Sequence, residues 1–397
     1  MSPPPLHRNR EFVALWIGNA VSWLGISISS FAYPLVVLQA TGSAAKAGLV
    51  GSVLTATTFF LRLPAGALTD RWDRKRIMIA CDGGRAAASA SLALALAFGS
   101  FHLWHVLIVA FLEGSLGTLF GPAESAAVRR VVAPEQRREA VALNASRAQL
   151  PGLIGPPLGG ALLSASRALP FVADAISYVG SLIAVLFVRT PLRDPPHDHD
   201  DTQSIFEGIR WLWRRPFLRA LLVWMGLGAL AFGGIGLVIL VLARSRGASS
   251  LELGVMFAIM AVGSVAGALA TPRLIQRFSG RTLVVALAWT LAGSMFLLLP
   301  AHSPYLIGVL GAVANFLTPS VGAVLFSTIA ADAPDHLQGR TTAGAIQISS
   351  MPAPLAPLAA GLLLGGIGAR ETVFVYGAFL VAIAILATTS PGLKARS

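Results

Sequence analysis

The chain has 397 residues, of which 55% are hydrophobic and only 12% charged, and its mean hydropathy is +0.72. The apolar residues form long blocks such as Val21–Leu38, Ile77–Phe98 and Leu221–Leu242, each close to the about 20 residues a helix needs to cross a bilayer, which excludes a soluble domain. The formal net charge of +12 would suit nucleic acid, but the cations concentrate in the short segments on one side of the blocks, so they report topology and no nucleic-acid partner is expected.

In chain order, the first residues, "MSPPPLHRNREF", hold no apolar core before a cleavage site. Helix 1 therefore directs insertion. Spans are predicted at 12–40, 45–69, 77–100, 104–127, 140–165 and 169–189, and again at 218–243, 251–272, 282–300, 304–330, 341–368 and 372–390. The expected fold is an all-α integral membrane protein with 12 transmembrane helices in two pseudo-symmetric six-helix bundles. The bundles are residues 1–189 and 218–397, joined by a cytoplasmic linker over 190–217. The charge bias puts both termini in the cytoplasm. In the linker, Ile205, Phe206, Ile209, Leu212 and Trp213 share one helical side, a pattern that lies along a membrane surface. The run His197–Asp201 reads as solvated linker, since nothing there fixes a coordination geometry, and no metal or cofactor is expected. Cys81 is the only cysteine, so no intrachain disulfide forms.

The two halves repeat. "GALTDR" at Gly66 is echoed by "GALATP" at Gly267, and Pro122, Pro134 and Pro157 have counterparts at Pro319, Pro334 and Pro357 in the same order. Duplicated helical halves around a central site are a transporter architecture.

Charge inside a bilayer is costly unless paired or hydrated, so each instance is a candidate for function. The first half carries Arg62, Asp82, Arg85, Glu113, Glu124, Arg147 and Asp174 within its predicted spans, and the second half carries no charge in a span interior. Asp82 and Arg85, three apart, can pair on one helical face. Arg62 and Glu124 lie toward the same membrane side, while Asp174 sits toward the outer part of helix 6. Weaker candidates for a substrate cavity are Asn19, Trp23 and Ser27 on one face of helix 1, with Trp224, Asn315 and Gln347 in the second half. Aromatic and amide groups with few charges suit an amphipathic organic molecule better than a sugar or a phosphate ester.

The densest charge is "GALTDRWDRKRI", Gly66–Ile77. Gly66, Asp70, Arg71, Arg74 and Lys75 fit G-x-x-x-D-R-x-x-R-K/R, and the chain resembles the major facilitator superfamily over nearly its whole length. Asp73 stands where that family often has glycine. In "PGLIGPPLGG", Gly155, Pro156, Gly159 and Gly160 match the family's antiporter signature in helix 5, with Pro151 at the place of an earlier glycine. Helices 1, 4 and 6 are similar to the bacterial efflux branch that includes enterobactin and macrolide exporters. The resemblance implies that Asp70 and the cations around it form a latch between the halves. It also implies that helix 4 lines the central cavity, where Glu113 replaces the family's usual arginine. Three readings of Glu113 stay open: proton exchange, since a carboxyl withdrawn from water can trade protons near neutral pH; contact with a cationic substrate; or internal pairing with Arg147 or Arg85.

The resulting expectation is a monomeric secondary transporter of the inner (plasma) membrane. It exports small drugs or metabolites, as an antibiotic-resistance pump does, by proton antiport with alternating access. Its partners are its substrate, protons and lipid. Alternatives are an uptake permease for a siderophore or nutrient, or an uncoupled sensor or lipid-handling protein. An enzyme is not expected: there is no P-loop, no HExxH and no nucleophile elbow.

Overall fold

The computed structural model describes residues 5–147, 150–192 and 205–394. Among these, every regular element is a helix. The first half contains α1 (Arg10–Thr41), α2 (Ala44–Arg71), α3 (Arg74–Ala97), α4 (Leu103–Val131), α5 (Arg137–Arg147), α6 (Leu150–Ala165) and α7 (Leu169–Phe187). After the short α8 (Ile205–Trp213) come α9 (Pro216–Ser245), α10 (Ser250–Arg277), α11 (Gly280–Leu297), α12 (Pro304–Phe316) and α13 (Thr318–Asp332). The chain continues through α14 (Gln338–Ser350), α15 (Ala356–Ile367), α16 (Ala369–Thr389) and α17 (Pro391–Lys394).

Ten stretches among the described residues are long and apolar enough to cross a membrane, with α12–α13 and α14–α15 each counted as one. The apolar but shorter α6 and the charge-bearing α3 bring the set to the twelve spans expected from sequence. Two spans read as continuous helices are interrupted. The tenth stops at Phe316 and restarts at Thr318, and the eleventh is broken between Ser350 and Ala356. Pro319, Pro352 and Pro354 lie at these breaks, where each removes a backbone donor that a continuous helix requires. Pro156 and Pro157, by contrast, sit inside an unbroken α6.

Helix ends follow local chemistry. Asn9 caps α1, accepting from the Phe12 amide at 3.1 Å, and its own amide donates to the Val131 carbonyl at the end of α4. Asp73 caps α3 by accepting from the Lys75 and Arg76 amides at 2.9 and 3.3 Å, so α3 starts three residues before the predicted boundary. The cations that follow reach the end of α7: Lys75 Nζ donates to the Val188 carbonyl at 2.6 Å and Arg74 Nη1 to that of Leu192 at 3.3 Å. Glu11 holds the same segment by accepting from the Arg189 amide and the Thr190 hydroxyl. We expect D73A to lower stability by about 1 kcal/mol, the usual loss for an N-cap, read as a lower thermal midpoint of the purified protein.

The chain forms two compact units. The first comprises Met1–Gly42, Val53–His197 and Ser249–Gly254; the second comprises Ser43–Ser52, Asp198–Ala248 and Val255–Ser397. Each unit therefore takes in the first turns of one helix from the other half of the sequence. Within the first, Gly254 of α10 lies on the Pro156 carbonyl and Gly160 on that of Ser250, with no room for a Cβ at either. Within the second, Gly48 of α2 lies on the Pro357 carbonyl and Gly361 on that of Ala44, and Ser52 Oγ accepts from the Leu358 amide at 3.0 Å. The repeat seen in sequence thus appears as the same close backbone contact made twice, the arrangement by which small residues join helices in a membrane.

Candidate functional site

The first unit encloses a polar cluster among α1, α3, α4 and α7. Asp82, Arg85 and Ser89 recur along α3 at spacings of three and four, so they share one face. Asp174, Ser177, Tyr178 and Ser181 do the same on α7, and all seven are buried. Glu113 enters from α4 with 8% exposure, whereas Asp174 is 0% exposed.

Asp82 and Arg85 satisfy each other. Arg85 Nη2 lies 2.5 Å from Asp82 Oδ1, and the guanidinium is sandwiched between the rings of Tyr178 and Phe120, 4.4 and 4.7 Å from their centroids. Such stacking shields a cation without neutralising it. Glu113 and Asp174 have no cation within ion-pair distance among the described residues. They meet instead at one hydroxyl: Ser89 Oγ is 2.5 Å from Glu113 Oε1 and 3.1 Å from Asp174 Oδ2. The Tyr33 hydroxyl lies near Glu113. An ionised carboxylate only accepts, and a serine hydroxyl has one proton to donate. Two carboxyls gathered on one hydroxyl therefore need a further proton, on one of them, for both contacts to be hydrogen bonds.

This packing is tight enough to require glycine in α1. A Cβ at Gly25 would collide with Ser177 Oγ and sit 2.8 Å from Asp174 Oδ1. Ser177 in turn donates to the Asp174 carbonyl at 2.7 Å, which fixes the α7 turn that presents the carboxyl.

The remaining sequence candidates fall in several places. Gly155 and Gly159 pack against Ser27 and Ile28 of α1, and Ser27 Oγ donates to the Pro151 carbonyl at 2.8 Å. Ser27 thus joins α1 to α6. Asn19 is buried, and Trp23 is 48% exposed on a chamber of about 410 Å³ that Glu124 also lines. Trp224 lines a separate cavity in the second unit, and Asn315 lies in the last turn of α12, just before the break. Arg62 is on α2 and Gln347 on α14, both half-buried. Gly66 sits in the last turns of α2, with open space where a Cβ would go. The side chains of Asp70, Arg71 and Arg147, and the run His197–Asp201, lie outside the described residues.

Sequence reasoning placed Asp174 toward the outer part of its helix, with no assigned partner, and overlooked Ser89, Tyr33 and Tyr178. The position of Ser89, one turn beyond Arg85 on the face that already carries Asp82, was a usable signal for the first of these. No local pattern joins it to Asp174, 85 residues away.

The sequence profile of the Major Facilitator Superfamily matches residues 15–348. The multidrug efflux pump Tap of Mycolicibacterium fortuitum is 25% identical over 93% of this chain and 93% of its own length. Macrolide efflux protein A of Streptococcus pyogenes is 31% identical over 54% of each chain. The enterobactin exporter EntS of Escherichia coli is 23% identical over 92% of this chain and 87% of its own. In three dimensions the chain is similar to a bacterial homologue of the human lysosomal transporter Spinster, with a TM-score of 0.78 at 16% identity, covering 98% of this chain and 99% of that one. Ten apolar stretches long enough to cross a membrane among the described residues and a profile match across most of the sequence lead to one conclusion: the chain belongs to the major facilitator superfamily of membrane transporters and is not an enzyme.

Proposed function

We propose that this transporter exports small amphipathic organic molecules from the cytoplasm in exchange for protons, and that Glu113 and Asp174 together carry the coupling proton. One observation carries the reading. Two buried carboxyls converge on the Ser89 hydroxyl, while the nearby guanidinium is already engaged by Asp82. Two adjacent anions would be unstable in this apolar interior, because burial removes the water that disperses their charge. With a proton bound, the pair gives a hydrogen-bonded, less charged unit that can stay enclosed. With the pair open to the acidic outer side a proton enters it; with the pair open to the cytoplasm the proton leaves. Coupling follows if substrate and proton compete for the inward- or outward-open states, so that the proton moves in as the substrate moves out.

The export direction is supported by the efflux pumps named above, whose similarity spans most of the chain. The charge bias of the sequence assigns the two termini to the cytoplasm, and the protein is read as a monomer of the plasma membrane. In this reading Asp70 serves the latch of the helix 2–3 loop. D70N is expected to reach the membrane in normal amount and lose at least about nine-tenths of transport, the tenfold effect of one lost charged contact worth about 1.4 kcal/mol. Cell-surface quantification beside dye efflux checks it, and full transport by D70N would remove the latch.

The reading as a whole is tested in cells expressing the protein, with a panel of antibiotics and dyes, with and without an uncoupler. Lower accumulation that the uncoupler abolishes supports proton-driven export. Higher accumulation indicates uptake, and unchanged accumulation indicates a sensor or lipid-handling role.

A further inference from the structure

The short helix α8, which leads into the second half, is docked through one side. A Cβ at Gly208 would lie 2.6 Å from the Arg340 carbonyl carbon, and one at Gly344 of α14 would lie 3.0 Å from Ile209 Cγ1. Leu212, on the same side, is fully buried. At Ile209 and Leu212, therefore, the apolar side that sequence suggested would rest on a membrane surface is covered by α14 instead. Two ion pairs hold the edges, Arg340 Nη1 to Glu207 Oε2 at 3.2 Å and Arg215 Nη1 to Asp332 Oδ2 at 3.5 Å. The Arg215 guanidinium also lies over the Trp211 ring, 4.0 Å from its centroid.

What is left facing outward is basic. Arg210 and Arg214 are four residues apart, hence on one side of the helix. Both are exposed, and neither has an acidic partner among the described residues. With Glu207, Trp211, Arg215 and Leu337 they line an open recess of about 460 Å³. Its one carboxylate, that of Glu207, is already paired with Arg340, so the recess presents three guanidinium groups and an excess of positive charge. Its level in the fold is set by three helix ends that meet there: α9 begins at Pro216, α13 ends at Asp332 and α14 begins at Gln338. All three belong to stretches able to cross a membrane, so the recess lies at the boundary between hydrocarbon and water. Trp213, 46% exposed beside it, is the residue type that anchors at that level.

From this geometry we propose that the recess binds the phosphate of an acidic phospholipid in the adjoining leaflet, held between Arg210 and Arg214, with Arg215 fixed on Trp211 as the back wall. A guanidinium fork matches the oxygens of a phosphate, and basic clusters just outside a span attract anionic headgroups. A soluble phosphate ester offers the same oxygens, but the position at three span ends and the exposed Trp213 favour a ligand supplied by the bilayer. The inference holds whatever drives transport, because the site lies wholly within the second unit and uses none of the Glu113 cluster.

The full-length protein in detergent is titrated with dioleoylphosphatidylglycerol, and native mass spectrometry reads the half-saturation of the first bound lipid. Dioleoylphosphatidylcholine, whose choline cation opposes the arginines, should bind at least about fivefold more weakly. R210Q/R214Q should raise half-saturation for phosphatidylglycerol roughly thirtyfold, two contacts at about fivefold each. R210K/R214K, which keeps both charges, should recover most of that loss. R137Q/R138Q, which removes two exposed arginines at the start of α5, should change half-saturation by less than about twofold. Neither Arg210 nor Arg214 takes part in docking α8; should the double variant still fail to purify as a monodisperse protein, R210Q and R214Q singly, at about fivefold each, decide the question. Unchanged half-saturation in the glutamine variants, or an equal loss in R137Q/R138Q, would overturn the site. Equal uptake of phosphatidylcholine would overturn its selectivity for an acidic headgroup. Displacement of the lipid by sn-glycerol 3-phosphate at matching concentration would assign the recess to a free phosphate ester and overturn the lipid.

Discussion

An E113Q protein reconstituted in liposomes is expected to lose gradient-driven accumulation of substrate while retaining substrate exchange at equilibrium. Glutamine preserves the length of the side chain and can still accept from Ser89, but it carries no exchangeable acid proton. One proton per substrate and a pH difference of one unit sustain a concentration ratio of about tenfold, because 1.36 kcal/mol is a factor of ten. Wild type should approach that ratio, and E113Q should fall to a ratio of one. D174N should behave in the same way if the carboxyls act as a pair. Undiminished accumulation by E113Q would rule out Glu113 as the proton carrier.

The second large effect concerns folding. G25A adds one methyl group where Ser177 Oγ already sits, and the displaced hydroxyl anchors the α7 turn that presents Asp174. Overpacking of this kind typically costs about 1–3 kcal/mol. Here the nearest neighbours are a short, buried side chain and a carboxyl in a hydrogen-bonded cluster, so relief is limited, and G25A is expected to lower the thermal midpoint and the yield of monodisperse protein. S177G removes the colliding atoms, and G25A/S177G should recover most of the midpoint lost by G25A alone, a coupling that distant sites do not show. A double variant no better than the sum of the single ones would mean that the α1–α7 contact is not the cause.

The parts of the molecule legible in sequence were those governed by local composition. Long apolar blocks marked the spans, because any chain that crosses a hydrocarbon layer must satisfy its backbone internally. The ordered prolines marked the repeat, although the matching carbonyl contacts in the two units are made by Pro156 and Pro357, one residue from the Pro157–Pro357 correspondence read in sequence. Gly155, Gly159 and Gly160 were legible as a smooth helix face, though not that two of them meet α1 while the third meets α10. The helix breaks were less legible. Pro156 and Pro157 bend nothing enough to end α6, whereas Pro319 coincides with a full restart at Thr318. A proline removes a donor in both cases, and tertiary neighbours decide whether the helix continues.

The charged cluster divides along the same line. Asp82 and Arg85 are neighbours on one helix face, so their pairing can be read from a spacing of three. The meeting of Glu113 with Asp174 depends on how α3, α4 and α7 pack, information that is spread over many contacts and held in no single motif. Asp73 shows the converse. As a departure from the family's pattern it looked incidental, yet it is the residue that starts α3, through two amide hydrogen bonds. Lys75, counted in sequence as a topology signal, also closes the carbonyl end of α7, and Arg74 holds the segment that follows it at Leu192. Cations complement a helix C-terminus, so one side chain meets both requirements.

Proton movement itself gives the most direct test of the central claim. Liposomes containing the protein and a pH-sensitive dye are loaded with a substrate identified by the cell assay and diluted into substrate-free buffer, so that substrate flows outward. Antiport through the Glu113–Asp174 pair predicts that the lumen acidifies in step with substrate loss for the wild type, and that E113Q and D174N show no acidification. A lumen that stays at constant pH or turns alkaline while wild-type protein releases its substrate would contradict the account.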